Sequence, residues 1–214
     1  MKLQSLADFE TFAARARKAR EERGHALLVC AGTGCISGGS LEVKKALEEA
    51  AKGVTVKRTG CRGFCEKGPL VVEQPSGSFY CRVKPADAPD ITKAVGGEPV
   101  ERLLAKDGKN RVRTMDEIPF YKGQKRVALR NLGEIDPTDI EDAVAVGAYA
   151  SLAGVLGGTT PEEVISQIET SGLRGRGGAG FPTGRKWRTC LGVDAEPRYV
   201  ICNADEGDPG AFMD

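Results

Sequence analysis

Ala26-Leu-Leu-Val-Cys-Ala-Gly-Thr-Gly-Cys35 decides the fold, because an apolar run ends there in a glycine-bearing cysteine loop. Ala26–Val29 is long enough for a short buried strand. Ser40 is expected to N-cap a helix through Ala51, with Val43, Leu47 and Ala50 on one face. Val54-Thr-Val-Lys57 alternates as a second strand and runs into Thr59-Gly-Cys-Arg-Gly-Phe-Cys65. Leu70–Glu73 and Phe79–Val83 flank Pro75–Ser78 as a hairpin, and a helix from about Pro85 to Val95 closes the unit. The order is βαβ, hairpin, helix, which is an α/β unit.

In a βαβ unit the two strands are parallel, so Cys30 and Cys61 leave the sheet at the same edge. Cys35 and Cys65 then join them without a long excursion of the chain. Gly32, Gly34, Gly60 and Gly63 let the backbone wrap closely and turn N–H groups toward sulfur. The spacings, C-x4-C and C-x3-C, are looser than the C-x-x-C pairs of zinc sites and suit a broader [2Fe–2S] unit. A structural zinc and unligated core or redox thiols stay open on spacing alone. Cys81 falls in the hairpin and reads as a packing residue, and His25, the only histidine, as a satisfied surface or core residue.

The rest of the chain is organised around this unit. Residues 5–23 carry Leu6, Phe9, Ala13 and Ala16 at helical steps, with the arginines on a solvated face. Gly96–Pro99 ends the cysteine unit, so residues 1–24 read as an N-terminal helix and 25–100 as the first domain. The polar stretch 101–135 reads as a linker or arm with one strand near Val127–Leu129, and 136–214 as a second, partial domain. Asp139–Leu156 is expected to be helical up to Gly157-Gly158. Thr160, Pro161 and Glu163 start another helix as N-cap, first residue and dipole partner.

With 31 basic and 30 acidic residues in 214, bulk charge points to no polyanionic partner. No run approaches the ~18 apolar residues that span a bilayer, so no direct membrane insertion is expected. The charged N-terminus lacks the apolar core of a secretory signal, which places the chain in the cytoplasm, where clustered cysteines more often bind metal than form disulfides.

Two further signals lie near the end. Ser171-Gly-Leu-Arg-Gly-Arg-Gly-Gly-Ala-Gly-Phe-Pro182 interleaves glycines with arginines and can turn N–H groups onto a phosphate. Gly175, Gly177 and Gly180 formally match the dinucleotide fingerprint, but a helix rather than a strand precedes them, which excludes an ordinary Rossmann unit. An Arg/Gly segment for RNA is a weaker reading, and no nucleic-acid partner is expected. Tyr199-Val-Ile-Cys202 reads as an apolar strand ending in Asn203, Asp205, Glu206 and Asp208, where polar groups line ligand crevices.

The cysteine stretches resemble the thioredoxin-like [2Fe–2S] ferredoxin family, which includes the small cluster-bearing subunit of complex I. That resemblance carries the ligand role onto Cys30, Cys35, Cys61 and Cys65. The glycine loop, the Tyr199–Gly210 segment and Asn131-Leu-Gly-Glu-Ile-Asp-Pro137 resemble the flavin- and NADH-binding subunit of complex I and of NAD(P)-linked hydrogenases and formate dehydrogenases. The implied fold is a thioredoxin-like [2Fe–2S] domain, a linker arm and the N-terminal part of a complex-I-type FMN-binding α/β domain. By the same resemblance Gly175, Arg176, Gly177, Gly178, Gly180 and Lys186 contact FMN, Asn203, Asp205 and Glu206 bind its polar atoms, and Phe181 lies beside the rings of NADH or NADPH. Hydride would pass from NADH to FMN and single electrons to iron–sulfur centres, with no side chain required as a catalytic acid or base. The implied partners are other iron–sulfur subunits of a hydrogenase, dehydrogenase or complex-I-like assembly. Family members continue to a C-terminal [4Fe–4S] cysteine set, so the chain reads as truncated and is expected to keep its [2Fe–2S] cluster but hold FMN weakly or not at all. Cys190 and Cys202 match no family ligand and read as structural.

Overall fold

The computed structural model describes residues 3–202. They divide into two compact units, with the break between Gly154 and Val155. The expected boundary near residue 100 does not separate compact bodies, and residues 101–154 belong with the cysteine unit.

In the first unit, α1 (Leu6–Glu21) begins at a Ser5 capping box completed by Asp8. Next come β1 (Ala26–Cys30), α2 (Thr33–Ser37), α3 (Ser40–Ala50) and β2 (Thr55–Thr59). β3 (Val71–Gln74), β4 (Phe79–Tyr80) and α4 (Ala88–Ala94) complete the cysteine-bearing portion. The sheet order is β2-β1-β3-β4, with β1 parallel to β2 and the remaining pairs antiparallel. Cys30 stands opposite Thr59 in the parallel register, so both cysteine loops do leave one edge.

Every residue of β1 is buried, because the central strand is covered on both faces. Leu27 and Val29 point into a cluster with Val43 and Leu47 of α3 and Ile91 of α4. Ala26, Leu28 and Cys30 point the other way, into a cluster with Cys35, Phe79, Ala105, Ile118 and Tyr121. The second face is therefore covered by the stretch expected to be a linker or arm. That stretch forms a hairpin, β5 (Ala105–Asp107) and β6 (Asn110–Val112), turning at Gly108 with φ 58°. A short helix, α5 (Pro119–Lys122), follows and buries Tyr121. Val127–Leu129 is a turn and not the expected strand, since no neighbouring segment pairs with it.

Three local expectations are corrected. Ser40 is not the cap of α3: Gly39, at φ 88°, takes that place and accepts from the Val43 N–H, while the Ser40 hydroxyl is buried. The helix expected over Asp139–Leu156 is two, α6 (Ile140–Ala145) and α7 (Ala150–Leu156). Gly147 and Tyr149 between them have φ 97° and 64°, which a right-handed helix cannot accommodate. The α1 arginines are not all solvated either. Arg20 donates to the Glu134 carbonyl, Arg15 pairs with Glu141, and Arg23 just beyond the helix pairs with Asp142 at 2.6 Å.

The second unit contains α8 (Pro161–Thr170) and α9 (Thr183–Leu191). Thr160 is the N-cap, as expected, with Pro161 at the first turn, and Glu163 reaches back to complete a capping box. Gly184 brings the helices close: a Cβ there would lie 2.5 Å from Glu169 Cγ and 2.8 Å from its backbone N. Arg188 then grips Glu169 with two bonds of 2.8 and 2.6 Å. Tyr199–Cys202 forms no strand among the described residues, and Tyr199, Val200 and Ile201 are exposed, because no described segment offers a ladder to them.

Candidate functional site

Cys30 ends β1, Cys35 sits in α2, and Cys61 and Cys65 bracket the loop after β2. The sulfurs meet in pairs. Cys61 Sγ lies 3.9 Å from Cys65 Sγ, and Cys30 and Cys35 are near enough to shift each other's thiol in opposite directions. The two loops come together through glycines, with Gly32 against Cys61, Gly34 against Cys65 and Gly68 against Cys35, so the four cysteines gather in one ring. Among the described residues no three Cys, His, Asp or Glu side chains close around a single ion. Burial grades across the ring: Cys30 and Cys35 are buried, Cys61 is half-buried and Cys65 exposed.

Glycines make room for this meeting. A Cβ on Gly32 would stand 2.7 Å from Cys61 Cβ and 3.0 Å from its sulfur. One on Gly68 would stand 2.7 Å from Cys35 Sγ, and one on Gly34 3.3 Å from Cys65 Sγ. Backbone amides also point at sulfur, with the Gly63 N–H donating to Cys61 Sγ at 3.3 Å and those of Gly32 and Arg62 favouring the Cys30 thiolate. The neighbouring Cys35 thiol, backed by these amides and the Arg62 charge, holds the Cys30 thiol down at about 6. Cys35 is pushed up by its interaction with Cys30 and by burial. A four-sulfur pocket with one thiolate already favoured, trimmed of Cβ atoms and lined with N–H donors, fits an iron–sulfur centre.

Arg62 was not singled out in the sequence, yet it is the most buried charged group of the site, at 3% exposure. It pairs with Glu134 Oε1 at 3.4 Å and donates to the Gly133 carbonyl. Its own carbonyl accepts from the Tyr121 hydroxyl. Cys81 lies outside the ring, packs against the second core cluster, and has its thiol pushed up to about 11 by burial. His25 touches the buried carboxylate of Glu73 at 3.3 Å, as a residue of the fold. Cys190 and Cys202 are exposed.

In the second unit the glycine loop is pinned at its base by a bridge between Arg174 and Pro182. The Gly175 N–H donates to Phe181 O at 2.9 Å, and Arg174 Nε to Gly180 O at 2.6 Å. Between these ties, Gly178 and Gly180 adopt φ 100° and 60°. Gly175, Arg176, Gly177 and Gly178 are exposed, and the amides of residues 176–181 have no acceptor among the described residues. A Cβ on Gly177 or Gly178 would meet nothing. Phe181 lies under the Arg185 guanidinium at 5.8 Å. The loop opens onto the start of α9, which carries Lys186 and adds the positive end of a helix dipole. Free amides, cations and a helix start fit the phosphate of a flavin nucleotide. Asn203, Asp205 and Glu206 lie outside the described residues.

Parts of the chain are similar to known proteins. Residues 168–214 match the Nuo51 FMN-binding domain family. The chain is 57% identical over 93 residues to an NADP-reducing hydrogenase protein, HndC, of Solidesulfovibrio fructosivorans, covering 44% of this chain and 19% of that one. It is 47% identical over 88 residues to an NADH-quinone oxidoreductase protein of Rhizobium meliloti, covering 41% and 21% respectively. A thioredoxin-like [2Fe-2S] ferredoxin from Aquifex aeolicus is 33% identical over 39% of this chain and 98% of its own, with a TM-score of 0.36. The described residues form an α/β chain, and residues 168–214 are similar to the FMN-binding domain of that family. Part of the chain is thus similar to subunits of an NADP-reducing hydrogenase and of an NADH-quinone oxidoreductase, and the matches span about a fifth of the length of those curated relatives. Among the described residues no helix is long and apolar enough to cross a membrane.

Proposed function

We propose that the chain serves an NADH:acceptor oxidoreductase as an electron-transfer subunit, with a [2Fe–2S] cluster on Cys30, Cys35, Cys61 and Cys65. The observation that carries this is the ring of four sulfurs at one sheet edge, with Gly32, Gly34 and Gly68 cut back against them. In this scheme residues 25–100 carry the cluster, 101–135 close its second face, and the flavin portion belongs to the second unit, after Gly154.

Gly175, Arg176, Gly177, Gly178 and Gly180 would receive the FMN phosphate through their amides, with Lys186 neutralising charge. Phe181 would offer a flat apolar face to the nicotinamide nucleotide. Asn203, Asp205 and Glu206 are assigned to the flavin's polar atoms on resemblance alone. FMN supplies the exchange between two-electron and one-electron transfer. The chain's own residues bind, orient and set charge, and none acts as a proton donor or acceptor. Its partners would be further iron–sulfur subunits of a multi-subunit hydrogenase, dehydrogenase or complex-I-like assembly.

A second function, a [2Fe–2S] carrier and docking module without flavin chemistry, is favoured by one contrast. The cysteine site is enclosed on its inner side, whereas the glycine loop is open along its length. Weak FMN retention by this chain follows from that openness.

The test is iron, sulfide and zinc analysis of the purified chain, with visible absorption and electron paramagnetic resonance after reduction. Two irons per chain, and their loss in each of the four Cys→Ser variants but not in C81S, support the assignment. Colourless protein holding zinc overturns it. Flavin retention with NADH-dependent dye reduction separates the flavin-bearing function from the carrier.

A further inference from the structure

The exposed wall of the cysteine ring borders a surface of one charge. Phe64, between Cys61 and Cys65, is stacked on Phe120 of α5, with ring centroids 5.1 Å apart and planes 18° apart. That stack carries the surface from the exposed Cys65 onto the segment 118–130, and Phe120 itself is 47% exposed. The segment holds Lys122, Lys125, Arg126 and Arg130 and no acidic residue, in a chain whose net charge is only +1. Lys122, Lys125 and Arg130 are exposed, while Arg126 lies over the Tyr121 ring at 5.6 Å. None of the four pairs with a carboxylate among the described residues; Arg130 reaches only the Val127 carbonyl. Neighbouring acids are already engaged, Glu66 by Lys67 at 2.5 Å and Glu117 by the amides of Arg113 and Thr114. Asp116, exposed ahead of the segment, offsets one of the four charges. Val127 and Leu129 set exposed apolar surface among the cations.

We propose that the face formed by the Phe64–Phe120 stack and the cations of residues 118–130 docks an electron-transfer protein of acidic surface against the Cys65 side of the ring. The proposal rests on the cluster assignment above. Opposite charge draws such a partner in and orients it, which acts on the encounter rate more than on affinity. Aromatic and aliphatic side chains set among the cations favour a folded protein face over a bare phosphate backbone. One electron passes from the reduced centre to the oxidised centre of the partner, and no bond forms or breaks.

The experiment uses the full 214-residue chain, loaded by iron and sulfide analysis, reduced with dithionite and freed of excess reductant. Stopped-flow mixing then follows electron transfer to oxidised rubredoxin, a small acidic iron protein, and to basic cytochrome c. Transfer from the parent to rubredoxin should slow by about tenfold from low to high salt. K122E/K125E should lose about the same factor at low salt, with cytochrome c reduced faster than by the parent. K52E/K93E makes the same change of net charge beside α3 and on α4, which pack on the other face of the sheet, and should match the parent. A K122E/K125E rate equal to the parent's, or an equal loss in K52E/K93E, overturns the proposal. Duplex DNA or phosphatidylserine vesicles held by the parent and released by K122E/K125E, with the rubredoxin rate untouched, overturn it in favour of a polyanion. A parent chain without iron and sulfide removes the cluster assignment and this proposal with it, an outcome visible before any partner is added.

Discussion

The hydroxyl of Tyr121 donates a 3.0 Å hydrogen bond to the carbonyl of Arg62, tying the segment after the β5–β6 hairpin to the loop between two metal-ligand candidates. Both atoms are buried, and the ring also packs edge-on against Phe79 at 5.9 Å. Y121F keeps the ring and leaves the carbonyl without its donor. A loss of about 1 kcal/mol is expected in denaturant unfolding. The larger effect should be local, as faster hydrogen exchange at residues 60–64 with α3 and α4 unchanged.

Gly32 tests the assembly of the ring. G32A inserts a methyl group into the space of the Cys61 side chain, 2.7 Å from its Cβ, and neither β1 nor β2 can yield without breaking their ladder. The variant should fold and bind little iron after reconstitution with iron and sulfide. Iron stoichiometry equal to the parent's would show that the loops do not meet as described.

Asp142 is the acid-sensitive point of the first unit. Burial alone would raise its pKa, but the Asp136 N–H, Lys57 and Arg23 together hold it below the ordinary carboxylate value. A carboxylate depressed in the folded state stabilises above its unfolded pKa of about 3.9, and that contribution fades as pH falls through the lower folded value. Stability should therefore fall below about pH 4, and D142N should flatten that limb of the pH–stability curve. At neutral pH D142N should cost about 3 kcal/mol, because Arg23 loses its 2.6 Å partner while Lys57 keeps Asp139.

Gly184 tests the base of the flavin-loop candidate. G184A places a methyl group against the α8 backbone and should cost about 2 kcal/mol of helix docking. Limited proteolysis should then cut between residues 171 and 192 faster than in the parent. G177A, where a Cβ meets nothing, should leave the cleavage rate unchanged.

Signals that act over a few residues were legible in the sequence. The strands at Ala26 and Thr55, the two cysteine loops and the Thr160–Glu163 cap follow from runs, spacings and caps whose physics is local. The covering of the second sheet face was not. Ala105, Ile118 and Tyr121 are scattered through a polar stretch with no period, and their burial depends on a surface elsewhere in the chain. Arg62 was hidden for the same reason: its importance comes from Gly133 and Glu134, far along the chain. Glycine signals could have shown more. Asp107-Gly108 marks a hairpin turn, and Gly147 beside Gly154 warns of a broken helix. Tyr199–Cys202 has the composition of a strand, but composition supplies no neighbour to pair with.

Cys30 is anchored in the middle of the sheet, its N–H bonded to Leu70 O, while Cys65 stands at the surface in a single turn of 3-10 helix. Any loosening of this region begins at the outer wall and leaves the inner one standing. Metal leaving or entering would thus pass by way of Cys65, and a half-built socket would persist on β1 as the template on which a lost centre is rebuilt.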